Sequence, residues 1–327
     1  MDEKILFDKK CTTIIKGIAI VLMVCHHMWG FETLRDFDGI WIDLAPILIA
    51  LGKAGKICVA VFAFISGYGI YLSYDKKRNV LSLYKKIMSV MFHFWRTVIP
   101  ILALLFILNF LPFEWDAFIK NMFCISTSYN GTWWYLQTYI IYIILFPLLY
   151  LILNRNILSV FFCIVSMTLG RYITYFLPVN YIYYFLYYLP FFLIGALFAK
   201  NNLMYRLSPS KNHTAFLILY ILITLLFVFL RFKTGRTEFL FIIIPFFMLS
   251  FVQKPLGEIR LFRAIYILGK YSMGIWLIHN FFIKQIPCQA ITNNCILHFI
   301  LIFGLSFALT FIIEKARIAI IDIVQKK

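Results

Sequence analysis

Ten apolar runs follow one another along this chain, at about 12–31, 57–74, 88–110, 133–153, 157–176, 182–199, 214–231, 239–253, 264–283 and 294–314. Each is near the roughly 20 residues that carry an α-helix across the hydrocarbon core of a bilayer. Clusters of charge, Asn, Gly or Pro separate them. No water-soluble core could hide so much apolar surface: 63% of the residues are hydrophobic and only 14% charged, against about a quarter charged in an ordinary globular domain. A cytosolic enzyme, a nucleic-acid binder and a disordered chain are excluded on that ground. Ten spans leave about 130 of the 327 residues for loops and tails. The expectation is one integral-membrane domain over 1–327, with no separate soluble domain, so the chemistry belongs inside the bundle or on its short loops.

The runs are apolar all round rather than on one stripe, as spans with lipid on one side and helices on the other should be. Transmembrane barrel strands alternate polar and apolar, whereas residues 140–153 are almost continuously apolar. The predicted fold class is therefore all-α, a polytopic membrane protein with about ten transmembrane helices. A shorter stretch at 40–51 contains Asp43 and Pro46, and its length predicts an interfacial or re-entrant piece instead of a span. With the N-terminus inside, the cytoplasmic loops and tails carry twenty Lys and Arg and the opposite loops nine. That bias puts the N- and C-termini in the cytoplasm of a multi-pass protein of the cell (plasma or inner) membrane. The formal charge of +17 then reads as a topology signal and an attraction to membrane lipid, with no nucleic acid among the partners.

A cleavable signal peptide is not expected, because no small-x-small site follows the first run and Val24 before Cys25 is too bulky for a lipoprotein site. The first span is read as a retained anchor. Of the seven cysteines, Cys25, Cys58 and Cys163 fall in spans as packing residues, and Cys124, Cys288 and Cys295 in outward loops. A Cys288–Cys295 disulfide stays open. No Cys/His spacing matches a zinc site, so no metal and no bound cofactor are expected.

Ionisable groups inside a bilayer are costly and mark function. All fourteen carboxylates, Glu314 among them, fall in tails, loops or the ends of runs. That weighs against a proton-driven transporter and a paired-carboxylate hydrolase. The groups left within or beside the spans are basic: Lys16, His26, His27, Arg96, His279 and His298. Histidine suits general-base work near neutral pH. Lys16 and His27 are eleven residues apart, hence on one helix face and roughly 16 Å apart along its axis. By topology Lys16 and Arg96 lie toward the cytoplasm, while His27 and His279 lie in the outer halves of their helices. An anionic cytosolic donor with a long arm, such as a coenzyme A thioester, matches that two-level order.

At these residues the chain resembles acyltransferase family 3, the integral-membrane O-acyltransferases of surface polysaccharides. Lys16-Gly17-Ile18-Ala19-Ile20 through His27 resembles the family's Lys/Arg-x10-His signature in the first span. Val61-Phe62-Ala63-Phe64-Ile65-Ser66-Gly67-Tyr68 is similar to its Ser-Gly-aromatic segment, and Arg96 with Pro100 to its Arg-x-x-Pro region. Trp133-Trp134-Tyr135-Leu136, with Tyr139 and Pro147, resembles the start of the fourth span. Pro190-Phe191-Phe192-Leu193-Ile194-Gly195 and Ser272-Met273-Gly274-Ile275-Trp276-Leu277-Ile278-His279 resemble later segments. The chain departs from the family at His93, where Arg is frequent, and the hydrolase-like domain that some members carry is not expected here. The resemblance implies His27 as the catalytic residue, Lys16 and Arg96 as acyl-CoA contacts, and acetyl-CoA or another acyl-CoA as donor substrate. His279, Ser66 and Tyr68 would support the chemistry, the latter two as oxyanion donors. Trp133, Trp134 and Tyr135 would offer a surface glycan or lipid-linked sugar acceptor a stacking platform.

Plainer readings stand beside these. Lys16 can snorkel to the headgroups, Ser66-Gly67-Tyr68 can be small-residue helix packing, and Trp133-Trp134-Tyr135 can be an interfacial aromatic belt. The expected function is transfer of a short acyl group, with acetyl the first expectation, from acyl-CoA to a hydroxyl of a cell-envelope polysaccharide or its lipid-linked precursor. The alternative is a membrane carrier of a glycan intermediate without transferase activity. A third reading, a structural partner of an export machine, finds little docking surface on short loops.

Overall fold

The computed structural model describes residues 7–30, 44–176, 180–208, 213–235, 237–252, 260–292 and 294–325. Its helices in chain order are α1 (Lys9–Trp29), α2 (Ala45–Gly55), α3 (Ile57–Lys77), α4 (Val80–Ile107), α5 (Trp115–Met122), α6 (Trp134–Leu153), α7 (Asn156–Phe176), α8 (Asn180–Lys200), α9 (Leu203–Arg206), α10 (His213–Thr234), α11 (Leu240–Val252), α12 (Arg260–Lys284) and α13 (Cys295–Gln325). Among the described residues there is no strand.

Every one of the ten apolar runs coincides with a helix. Seven stretches are long and apolar enough to cross a membrane: Lys9–Trp29, Ala45–Lys77, Val80–Ile107, Gly131–Leu153, Ile182–Lys200, Thr214–Thr234 and Cys295–Ile323. Shorter apolar stretches lie in α7 and α11, at Asn156–Gly170 and Leu240–Phe251. Within the 40–51 segment the structure forms the short helix α2, Ala45–Gly55, and residues 40–43 lie outside the described ones. Two further ends move outward: α4 starts at Val80 and α13 runs to Gln325. Apolarity stops a sequence reading at the first charge, but a helix continues through charges that find partners on the next turn. Glu314 is the consequence. It lies inside α13, and not at a helix end as the sequence suggested.

The described chain forms two compact units, and α1, α4, α6 and α12 contribute to both. The first comprises Met1–Ala19, Ile57–Ile87 and Thr138–Gly269; the second comprises Ile20–Lys56, Met88–Gln137 and Lys270–Lys327.

In the first unit α3 packs along α8, α7 along α8, and α10 along α11. The α3–α8 pair approaches through reciprocal glycines. A Cβ on Gly67 would overlap the carbonyl oxygen of Phe192, and one on Gly195 that of Phe64. Small residues allow this in lipid, where close backbone contact replaces the hydrophobic drive between helices. Pro190 lies inside the continuous α8, and five residues earlier the Phe185 carbonyl accepts a hydrogen bond from Tyr142 Oη at 2.8 Å. Only 6% of the apolar window of α10 is buried within the protein, and side chains such as Leu222 and Phe229 point outward. Hydrocarbon is the medium such a helix requires. The protein is a membrane protein.

In the second unit α2 rests on the C-terminal half of α1. Gly52 meets Gly30 and Gly55 meets Leu22 at distances that leave no room for a Cβ. His26 Nδ1 donates to the Gly52 carbonyl at 2.8 Å, which ties the two helices together. The loop after α5 is braced by Asn121, whose Nδ2 donates to Ala117 O at 2.7 Å and Ser128 Oγ at 2.8 Å. Cys288 and Cys295 are buried free thiols.

Candidate active site

In the second unit α1 and α12 bring two imidazoles together. His27 sits in the last turn of α1, and His279 lies in the C-terminal part of α12 with no exposed surface. His279 Nδ1 faces the carbonyl oxygens of Trp276 at 2.8 Å and Ile275 at 3.1 Å. A carbonyl only accepts, so with both rings neutral the proton belongs on Nδ1 and the lone pair on Nε2. That Nε2 is 3.0 Å from His27 Nδ1, which must then be the donor. The lone pair of His27 is thereby assigned, by the hydrogen-bond network, to Nε2. A base whose second nitrogen is held by an orienting group, itself oriented by a third, is the arrangement general-base catalysis needs. Taken as a whole residue, His27 is partly exposed.

The stretch of α12 around His279 is clamped by residues ahead of α6. Asn130 Nδ2 and Trp133 Nε1 both donate to the Leu277 carbonyl, at 3.1 and 3.0 Å. Asn130 Oδ1 accepts from Asn280 Nδ2 at 3.1 Å, from the Thr132 amide at 3.0 Å and from the Thr132 hydroxyl at 2.7 Å. Trp133 is 1% exposed, enclosed edge-on by Phe94 and Phe281. Its ring is therefore a support for α12. Trp134 beside it is partly exposed, and Tyr135 is buried with its ring edge-on to Trp276. The sequence reading passed over Asn130, although an Asn just ahead of an apolar run is a capping signal.

Arg96 is also in the second unit, but it is not an unpaired cation. One guanidinium nitrogen meets a Glu314 carboxylate oxygen, and the other carboxylate oxygen accepts from Arg317 Nε at 2.9 Å. His93 Nδ1 lies 2.5 Å from the same Arg96 nitrogen and accepts from it. A carboxylate two hundred residues away in sequence thus neutralises the charge that looked isolated along α4, and no spacing within α4 could announce it.

The first unit holds the remaining residues. Lys16, in α1, is half-buried, and no carboxylate pairs with it among the described residues. Lys9 and Lys86 are near enough for their charges to act on it, and Lys86 Nζ donates to Ser73 Oγ at 3.3 Å. Lys86 figured in the sequence only as a topology determinant. Ser66 and Tyr68 flank the packed Gly67 on α3; Tyr68 is 6% exposed, edge-on to Phe7. A cavity of about 460 Å³ between α7, α8 and the start of α11 contains none of the residues singled out by sequence. Among the described residues no group of three His, Cys, Asp or Glu side chains is placed to hold a metal ion.

Residues 12–315 match the family model of an acyltransferase domain, acyltransferase family 3. Comparisons with curated proteins and with solved structures give no match.

Proposed function

This chain belongs to acyltransferase family 3 over nearly its whole length, and from that premise we propose that it moves a short acyl group, acetyl in our reading, from cytosolic acyl-CoA to a hydroxyl of a cell-surface polysaccharide or its lipid-linked precursor. The observation that carries this reading is the 3.0 Å pair between His27 and His279, with the lone pair left on His27 Nε2. Nε2 takes the proton of the acceptor hydroxyl as its oxygen attacks the thioester carbonyl. The new C–O bond forms, the tetrahedral adduct collapses with cleavage of the C–S bond, and the proton passes from His27 to the departing thiolate. The products are the O-acyl ester and free coenzyme A. While His27 carries the extra proton, its Nδ1–H bond to His279 is charge-assisted and stronger than in the resting state, which favours the transition state over the ground state.

The donor's phosphates are assigned to Lys16 and Lys86, whose charges lie close together with no carboxylate on Lys16 among the described residues. Arg96, the second acyl-CoA contact that the resemblance implies, already meets Glu314 and His93. Trp134 with Tyr135 is the proposed acceptor platform, supported by Trp133. Ten spans with both termini cytoplasmic, in the plasma or inner membrane, is the topology that suits this direction of transfer. The Lys and Arg bias of twenty to nine supports it.

The test uses purified protein in vesicles, labelled acetyl-CoA and a candidate glycan, with His27→Ala alongside. Label reaching the glycan with wild type and not with His27→Ala is the expected result. Transfer that survives His27→Ala removes the assignment of the base. Glycan flux without transfer from any donor supports the carrier instead.

A further inference from the structure

The proposed chemistry does not use the buried amides of Asn130 and Asn280, 1% and 4% exposed, inside a membrane protein. Buried amides in such surroundings are costly unless every donor and acceptor is satisfied. Asn130 is satisfied on both ends. Its Nδ2 serves the Leu277 carbonyl and its Oδ1 gathers three donors, from Asn280 and from the amide and hydroxyl of Thr132. The chemistry of these neighbours fixes which way the amide faces, since a carbonyl cannot donate to Oδ1 and N–H groups cannot accept from Nδ2. Leu277 and Asn280 bracket His279, two residues before it and one after.

We infer that Asn130 is a positioning residue for the imidazole pair, holding the turn of α12 from which His279 meets His27; the inference rests on the transferase reading above. The argument is one of degrees of freedom. His279 bonds back to the Ile275 and Trp276 carbonyls of its own helix, so its ring direction is set by how that turn is tilted. The Leu277 carbonyl next along is drawn by two donors from outside the helix, Asn130 Nδ2 and Trp133 Nε1. Asn280 is anchored to the same amide. With both ends of the turn tied to one residue, the 3.0 Å contact to His27 is held by a fixed frame. The 3-10 turn Gly131–Trp133 puts Asn130 and Trp133 on the same carbonyl, with Asn130 as its N-cap.

The experiment is a double-mutant cycle in the full-length protein in vesicles, read together with ring-nitrogen NMR of labelled histidine. Asn130→Ala is expected to lower kcat about 100-fold, the scale of an ångström of misplacement, and to leave the donor KM within about 2-fold, since uniform binding is untouched. In a His279→Ala background the same substitution is expected to cost little more, because a positioning residue has nothing left to position. Wild type is expected to show His279 with its proton on Nδ1 and a coupling to His27, and Asn130→Ala to lose that signature. Trp133→Phe keeps the ring and removes one donor to Leu277, and it carries the same comparison if Asn130→Ala does not fold. Equal losses in both backgrounds, or an unchanged His279 signal, overturn the proposal. If wild type transfers nothing, the transferase reading fails, while the NMR comparison still decides whether Asn130 sets the His279 ring.

Discussion

His279→Ala separates a working pair of imidazoles from two rings that merely touch. The ring is fully buried, and its Nε2 accepts from His27 Nδ1 at 3.0 Å. When His27 becomes charged in the transition state, that bond joins the charged class, worth about 1.5–3 kcal/mol. Its removal corresponds to about a 10- to 150-fold loss in kcat. His27→Ala removes the base itself and should cost more, about 100- to 10,000-fold. The double variant should be no slower than His27→Ala alone, because residues that act as one unit are not additive. The assay is the initial rate of label transfer in vesicles at saturating donor, with thermal unfolding followed in parallel to exclude misfolding. A His279→Ala enzyme at the wild-type rate refutes the argument. So does a double variant whose loss is the product of the two single losses, since then the rings act independently.

Other consequences are as direct. Transfer should fall as the pH is lowered, because protonation of His27 takes up the lone pair on Nε2 and protonation of His279 turns the acceptor of the 3.0 Å bond into a donor; a rate that holds or rises on acidification counts against a neutral base. Glu314→Gln should leave Arg96 and Arg317 facing each other and destabilise the protein by about 1–3 kcal/mol, less than for a fully buried pair because the arginine side chains are 33% and 40% exposed; adding Arg96→Gln should recover part of the loss, and strictly additive unfolding shifts would mean the pair is not coupled. Gly67→Ala should destabilise by about 1–3 kcal/mol through its clash with the Phe192 backbone, while Gly69→Ala, which meets open space, should be close to neutral in the same melt. Lys16→Gln and Lys86→Gln should each raise the donor KM with little change in kcat, the pattern of uniform binding, and an unaltered KM in both would remove the lysines from donor binding.

The length and apolarity of the runs were enough to announce helices, because a backbone in hydrocarbon has to satisfy its own N–H and C=O groups, and a single helix does that from local sequence. The ten runs lie where helices lie for that reason. Helix ends were less legible. α13 continues past Glu314 because that carboxylate is met by Arg96 from α4 and by Arg317 one turn on, so its charge does not end the helix. A reader of one segment sees only the charge.

The spacing of Lys16 and His27 could fix a face of α1, yet not what that face meets. His279 is 252 residues from His27, and Glu314 is 218 from Arg96. Helices that are apolar on every side carry no stripe to say which surfaces pack together. The pairings are selected by close backbone contacts at residues such as Gly52, Gly67 and Gly195, and by a few buried polar groups such as Asn130 that must find partners. Sequence alone determined that this chain is a set of membrane helices with basic and imidazole side chains in them. Tertiary structure decided which two imidazoles meet, which cation is already paired and which amide bonds to α12, because these depend on which helix faces meet, and helices that satisfy their own backbones leave that choice to packing.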